Sequence, residues 1–133
     1  MSVTLVEARK LIEVGIAKAE ELGVKMVVAV VDEQGHPVAV HRMDGANWVP
    51  WDLTIAEAFT SAAFRRNGAD LKVLENAPFF RSFANIHGGR PFAGLGSLIL
   101  ERDGVIQGVL SAGGAIEEID LQIAKAAVAA WAN

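Results

Sequence analysis

At 133 residues, 52% of them hydrophobic and none cysteine, the chain can bury a core without a metal or disulfide staple. It cannot form disulfides, thiolate metal sites, iron–sulfur ligation or a cysteine nucleophile. A net charge of -4 with no Lys/Arg block argues against a phosphate-backbone partner, so no nucleic acid is expected.

Apolar residues fall in short segments, none near the roughly 18 uninterrupted positions of a membrane span. The N-terminal MSVTLVEARK has no basic stretch followed by an apolar one. No membrane partner is expected, and a cytoplasmic location is. So apolar a small chain leaves apolar surface over, which predicts a homo-oligomer.

Thr4 and Glu7 form a T-x-x-E capping box, and Ala8, Leu11, Ile12, Gly15, Ala19 and Leu22 follow at spacings of three and four. That pattern predicts a first helix closed by Gly23. Val24 to Val31 is nearly unbroken apolar sequence, the mark of a central strand covered on both faces. Asp32-Glu33-Gln34-Gly35 supplies a turn, and Val38 to Met43 returns as a second strand with Pro37 at its beginning. Gly45 to Trp51 reads as a loop. Asp52 then caps a helix whose Ile55, Phe59, Ala62 and Ala63 form one apolar face and which ends near Asn67-Gly68.

Ala69 to Asn76 adds a short helix, and Pro78 to Gly96, mixing Pro, Gly, Asn and aromatics, reads as irregular. Ser97 to Glu101 and Val105 to Ser111 flank Asp103-Gly104, a strong hairpin signal. Gly113-Gly114 leads into a last helix from about Ala115 to Trp131, with Glu117, Glu118 and Asp120 early and Lys125 late, as the helix dipole favours. The order αββα(α)ββα makes one α+β domain over residues 1–133.

Six of the nine aromatic residues, Trp48, Trp51, Phe79, Phe80, Phe83 and Phe92, fall in or beside the expected loops. They either roof a ligand pocket or fill a subunit interface. Arg81, His87 and Arg90 share that region, and His87 stands in Ile86-His87-Gly88-Gly89-Arg90, where glycines let a ligand approach the backbone. His87 is the first candidate, set against a merely solvated loop histidine. His36 and His41 read mainly as surface residues.

The sequence has no H-x-x-x-H, no His–Glu helix pair and no Asp-rich calcium loop. Haem asks less, since one axial ligand suffices, and without Cys or Tyr the candidates are His36, His41, His87, Met26 and Met43. Thr54, Glu57, Ala58 and Ser61 lie on a stripe apart from the apolar face, making Glu57 a candidate carboxylate base or an ordinary exposed helical glutamate. Gly113-Gly114 offers free N–H groups to an anion, which the acids of the next helix would repel.

Ala29-Val30-Val31-Asp32 with Gly35, Arg42-Met43-Asp44-Gly45-Ala46, the helix with Thr60, and Gly113-Gly114 with Asp120 and Ala124 together resemble the GlcG/HbpS family. It groups small haem-binding proteins, glycolate-operon proteins and the C-terminal domain of PduO-type corrinoid adenosyltransferases. The resemblance spans nearly the whole chain. It implies an antiparallel sheet of about five strands flanked by helices, in profilin-like or PAS-like α-β-α layers, and frequent oligomerisation. There are departures. Glu57 and Phe59 stand where the family carries Lys and Arg, Gln107, Leu110 and Ala112 alter its glycine-rich segment, and Phe92-Ala93-Gly94-Leu95 replaces F-x-G-G.

The resemblance implies a small-ligand-binding protein with haem or another tetrapyrrole as ligand, and otherwise no cofactor. His87 or His41 would be the axial metal ligand, Arg90 and Arg81 would hold propionates, and Trp48, Trp51 and Phe92 would line the walls. The lost family cations and the gained Glu57 motivate an alternative, a cofactor-independent isomerase, tautomerase or decarboxylase of a catabolic pathway. In it Arg42 or Arg90 clamps an organic acid while Glu57 and His87 shuttle a proton. A third reading leaves the aromatics to a subunit interface alone.

Overall fold

The computed structural model describes residues 1–131. In chain order the elements are α1 (Leu5–Leu22), β1 (Val27–Asp32), β2 (Pro37–Arg42), α2 (Val49–Phe64), α3 (Gly68–Lys72), α4 (Pro78–Ile86), β3 (Ser97–Arg102), β4 (Val105–Gly113) and α5 (Glu117–Val128). The strands form one antiparallel sheet in the order β2-β1-β4-β3. It has four strands among the described residues, against the five or so implied by the resemblance.

The valine-rich β1 is central because both its faces are covered. Val28 and Val30, with Leu110 and Ala112 of β4, pack under α1 and α5 through Leu11, Ile12, Ile123 and Ala127. Val31 and Val109 point to the other face and meet Ala58 and Ala62 of α2. Side chains alternate across a strand, so one unbroken apolar run serves two helical layers. Each fully buried Leu or Ile, such as Leu11, Ile12 and Ile123, contributes about 2 kcal/mol of burial.

The capping box forms as expected: the Thr4 hydroxyl accepts from Glu7 N–H at 3.1 Å and the Glu7 carboxylate accepts from Thr4 N–H at 2.9 Å. Several boundaries differ from the expectations. The first strand starts at Val27 rather than Val24, because Val24 N–H still donates to Ala19 at the helix end. α2 begins at Val49, before Asp52: Asn47 Oδ1 accepts from Val49 N–H at 3.2 Å, and Pro50 fits the first turn. Gly68–Lys72 is shorter than the helix expected from Ala69 to Asn76, and α5 is shorter at both ends than Ala115 to Trp131.

The largest difference lies in Pro78 to Gly96. Its first half is α4, opened by Pro78 and held by a cluster of rings in which Phe64 of α2 lies 5.7 Å from Phe80 and 4.9 Å from Phe83. Tertiary contact between aromatics three residues apart overrides the weak helical signal. Only residues 87–96 remain irregular. No helix among the described residues is long and apolar enough to cross a membrane.

Candidate functional site

The sheet side of α2 is not the apolar face expected from the sequence. Thr54, Glu57, Ala58, Ser61 and Ala62 are buried, whereas Ile55 and Phe59 are half-buried and Ala63 is exposed. α2 is covered on two sides, and Phe59 turns to α4, its ring 6.5 Å from that of Phe83. The small hydroxylated residues instead meet the sheet, where they are hydrogen-bonded: Ser97 Oγ lies 2.8 Å from Ser61 Oγ and 3.3 Å from the Glu57 carbonyl.

Residues 109, 111 and 113 of β4 point at α2, and their side chains shrink along the strand from Val to Ser to Gly. Val109 packs on Ala58 and Ala62, Ser111 meets Glu57, and Gly113 leaves only backbone beside Thr54. The taper opens a cleft of about 380 Å³ between α2, the end of β4 and the start of α5. It is lined by Asn47, Val49, Pro50, Leu53, Thr54, Glu57, Phe92, Gly113, Gly114, Ala115, Glu117 and Asp120.

Glu57 is only 5% exposed. Ser111 Oγ donates to its Oε2 at 3.2 Å, and its Oε1 lies so close to Gly94 that a Cβ there would overlap it. Burial pushes the Glu57 carboxyl up to about 8. The Ser111 hydrogen bond opposes that rise, Asp120 and Glu117 add to it, and Lys72 opposes it. Burial also lifts Asp120 to about 6, against the bond its Oδ1 accepts from Ala115 N–H at 3.0 Å. Glu117 is paired with Lys72 at 3.1 Å. Thr54 Oγ1 is fully buried and has no hydrogen-bond partner among the described residues. At neutral pH the cleft therefore holds a protonated Glu57 and a largely ionised Asp120, two carboxyls whose environments separate an acid from a base.

The other candidate residues lie elsewhere. Phe92 lines the cleft and also an adjoining groove of about 490 Å³, together with Arg90, Pro91, Leu53, Ile55 and Ala56. His87 is exposed at the end of α4, its ring 4.6 Å from Phe83 and 5.9 Å from Phe59, and the Arg90 guanidinium lies 5.0 Å over Phe59. Arg81 is exposed on α4. Trp48 and Trp51 are exposed at the start of α2 and line neither space.

His41 and Arg42 sit on the edge strand β2, in a third depression of about 620 Å³ with Lys25, Met43 and Glu20. Arg42 is thus on a different surface from Glu57. His36 is exposed beside Asp32. Met26 and Met43 are buried, and Met43 Sδ accepts from Met26 N–H at 3.3 Å. Sequence reasoning missed Ser111 and Gly94 and did not unite Thr54 with Asp120. The signal was the alternating Val109-x-Ser111-x-Gly113, legible only once β4 is known to face α2.

A family model described as "Haem degrading protein HbpS-like" matches residues 3–129. The corrinoid adenosyltransferase PduO of Citrobacter freundii is 30% identical over 132 residues, 98% of this chain and 39% of that protein. Its Salmonella typhimurium namesake is 29% identical over 126 residues, 93% of this chain and 37% of that protein. The chain therefore spans about two fifths of the length of these curated relatives.

Among solved structures, PduOC in complex with haem matches with a TM-score of 0.87 at 26% identity, covering 97% of this chain and 94% of that one. HbpS matches with a TM-score of 0.87 at 26% identity, covering 100% and 92%. With the model match running from the strand-pairing Val3 to the end of α5, the chain belongs to the HbpS-like family.

Proposed function

We propose that this protein binds a small organic ligand in the cleft between α2 and the start of α5, and that Glu57 exchanges a proton with it there. One observation carries the reading: a buried carboxyl held near pKa 8 shares a cleft with a buried Thr54 hydroxyl that lacks a partner among the described residues. Unpaired buried polar groups cost stability and are kept where a ligand completes them. Protonated Glu57 can donate to a ligand oxygen while ionised Asp120 accepts a proton, the arrangement needed for isomerisation or tautomerisation without a cofactor.

The organic-acid version of this chemistry needed an arginine clamp, and neither Arg42 nor Arg90 lines the cleft. Exposed Trp48, Val49, Leu53 and Ile116 near its mouth support packing of copies into a homo-oligomer. The test is a thermal-shift screen of uncharged and charged metabolites on the parent, Glu57→Leu and Thr54→Val. Stabilisation that weakens in both variants supports the site. Compounds that stabilise all three alike would place binding elsewhere.

A second reading takes haem or a related tetrapyrrole as the ligand, as the family and the PduOC–haem relative suggest. The residues around the adjoining groove fit such a group: Leu53, Ile55, Ala56, Pro91 and Phe92 offer apolar walls, and Arg90 is a cation among them. His87 packs on the same Phe59 ring that Arg90 covers. His87, beside the groove, would ligate the iron and Arg90 would hold a propionate, and bound haem would supply iron redox chemistry. The depression at His41 is more charged, with Ile16 and Met43 set among Glu20, Lys25, Arg42 and Asp44. The buried methionines are committed to the core.

A further inference from the structure

We propose that the α2–α5 cleft selects an uncharged ligand that presents an oxygen acceptor, such as a carbonyl, and rejects carboxylates. The inference rests on this cleft being the ligand site, and it names the class of molecule that the site takes.

Among the described residues the lining contains three carboxyls, Glu57, Glu117 and Asp120, and no Lys, Arg or His. Lys72, the cation that acts on Glu57, is already engaged by Glu117 at 3.1 Å and Glu75 at 3.7 Å. An incoming carboxylate would meet like charge without a counter-ion in a partly desolvated space. At the start of α5 the first-turn acids Glu117, Glu118 and Asp120 offset the helix's attraction for an anion, and Asp120 takes up the Ala115 N–H just before it.

A cation meets little open charge among the lining carboxyls, because Glu57 is protonated and Glu117 is paired with Lys72, which leaves Asp120, ionised while its Oδ1 accepts the Ala115 N–H. The least engaged carboxyl is Glu57, whose hydrogen-bond partner among the described residues is Ser111 alone. Burial keeps it protonated at neutral pH. Glu57 and Thr54 are three residues apart on one face of α2, and both line the cleft. The protonated Glu57 carboxyl suits a neutral acceptor oxygen, and Val49, Pro50, Leu53 and Phe92 suit the apolar body behind it.

Glu57 is faced by Ser111 from β4, Asp120 and Glu117 from α5, and Lys72 from α3. Of these, Asp120 has its own midpoint near 6, so titration between pH 7 and 9 reads Glu57.

The test uses three ring-matched probes, cyclohexanone, cyclohexanecarboxylate and cyclohexylammonium. Each is titrated into the isotope-labelled protein while the amide signals of Gly113, Gly114 and Ala115 are followed. Cyclohexanone is expected to shift these amides saturably at pH 7 and to bind about tenfold more weakly at pH 9, where only the protonated fraction of Glu57 remains competent. Glu57→Gln, which keeps a donor without an ionisable group, should bind cyclohexanone equally at both pH values once its amide spectrum confirms the fold.

Binding of the carboxylate or the ammonium at the same amides, as tight as that of the ketone, would overturn the ligand class and leave the cleft as the site. Ketone binding that does not weaken at pH 9 would overturn the donor role of Glu57. No saturable shift from any of the three would overturn the cleft reading and this inference with it.

Discussion

The hydroxyl of Ser111 on β4 reaches across the interior to Oε2 of Glu57 on α2 at 3.2 Å, in a position where strand residues on either side are apolar or absent in side chain. This contact puts a titratable group between sheet and helix, and its energetics govern the first prediction.

Glu57 should make the protein less stable as pH rises. Its carboxyl titrates near 8 when folded and near 4.5 when exposed. Below pH 4.5 both states are protonated and the full stability is present. Between 4.5 and about 8 the folded state keeps a proton that the unfolded state has lost, so stability falls by up to about 1.4 kcal/mol per pH unit. Above 8 the loss is complete. Asp120, raised from 3.8 to about 6, adds the same sign at lower pH. Urea unfolding of the parent and Glu57→Gln at pH 5, 7 and 9 should diverge in favour of the variant as pH rises. Parallel curves would mean that Glu57 is solvated.

Thr54→Val should separate stability from binding. The buried hydroxyl has no partner to lose among the described residues, and valine is nearly isosteric. The free protein should be unchanged or more stable by about 1 kcal/mol, raising the midpoint of thermal unfolding by a few degrees. Any compound that stabilises the parent through the cleft should stabilise the variant less. A marked loss of stability in the free variant would show that the hydroxyl is satisfied internally.

Thr60 holds the irregular segment to α2. Its hydroxyl donates to the Ala56 carbonyl at 2.7 Å and accepts from Phe92 N–H at 2.9 Å. Thr60→Val leaves that N–H unpaired, at a cost of about 1–3 kcal/mol. Amide exchange at Phe92 should accelerate by at least tenfold, while the β1 amides retain their protection relative to global unfolding. Unaltered exchange at Phe92 would rule out the anchor.

The haem reading has its own assay. Haemin titration should give a saturable Soret band that His87→Ala alters and His41→Ala leaves alone, because His87 packs on the Phe59 ring covered by Arg90, which lines the groove, whereas His41 lies in the more charged depression on β2. A spectrum indifferent to His87→Ala, or no saturable binding, would remove haem from this groove.

Much of the fold was legible in the sequence because its signals are local. The T-x-x-E box and Gly23 bound the first helix, and Asp103-Gly104 makes the second hairpin. The valine run announced a strand covered twice. α4 was not legible, since Phe80 and Phe83 become helical by packing on Phe64, whose nearness the order of residues does not disclose.

The candidate site divides the same way. Sequence alone marked Glu57 as a carboxylate on a stripe apart from Ile55 and Phe59, and marked His87, Arg90 and Phe92 as one loop cluster. It had no means of knowing that this stripe, not the apolar one, faces the sheet. Periodicity reports which residues share a helix face, and only packing decides what that face meets. Tertiary structure brought Ser111, Gly113 and Asp120 to Glu57 and left Arg42 on the distant edge of β2. Burial then turned an ordinary glutamate into a group that titrates near 8, because desolvation belongs to the three-dimensional surroundings of a charge and not to its place in the chain.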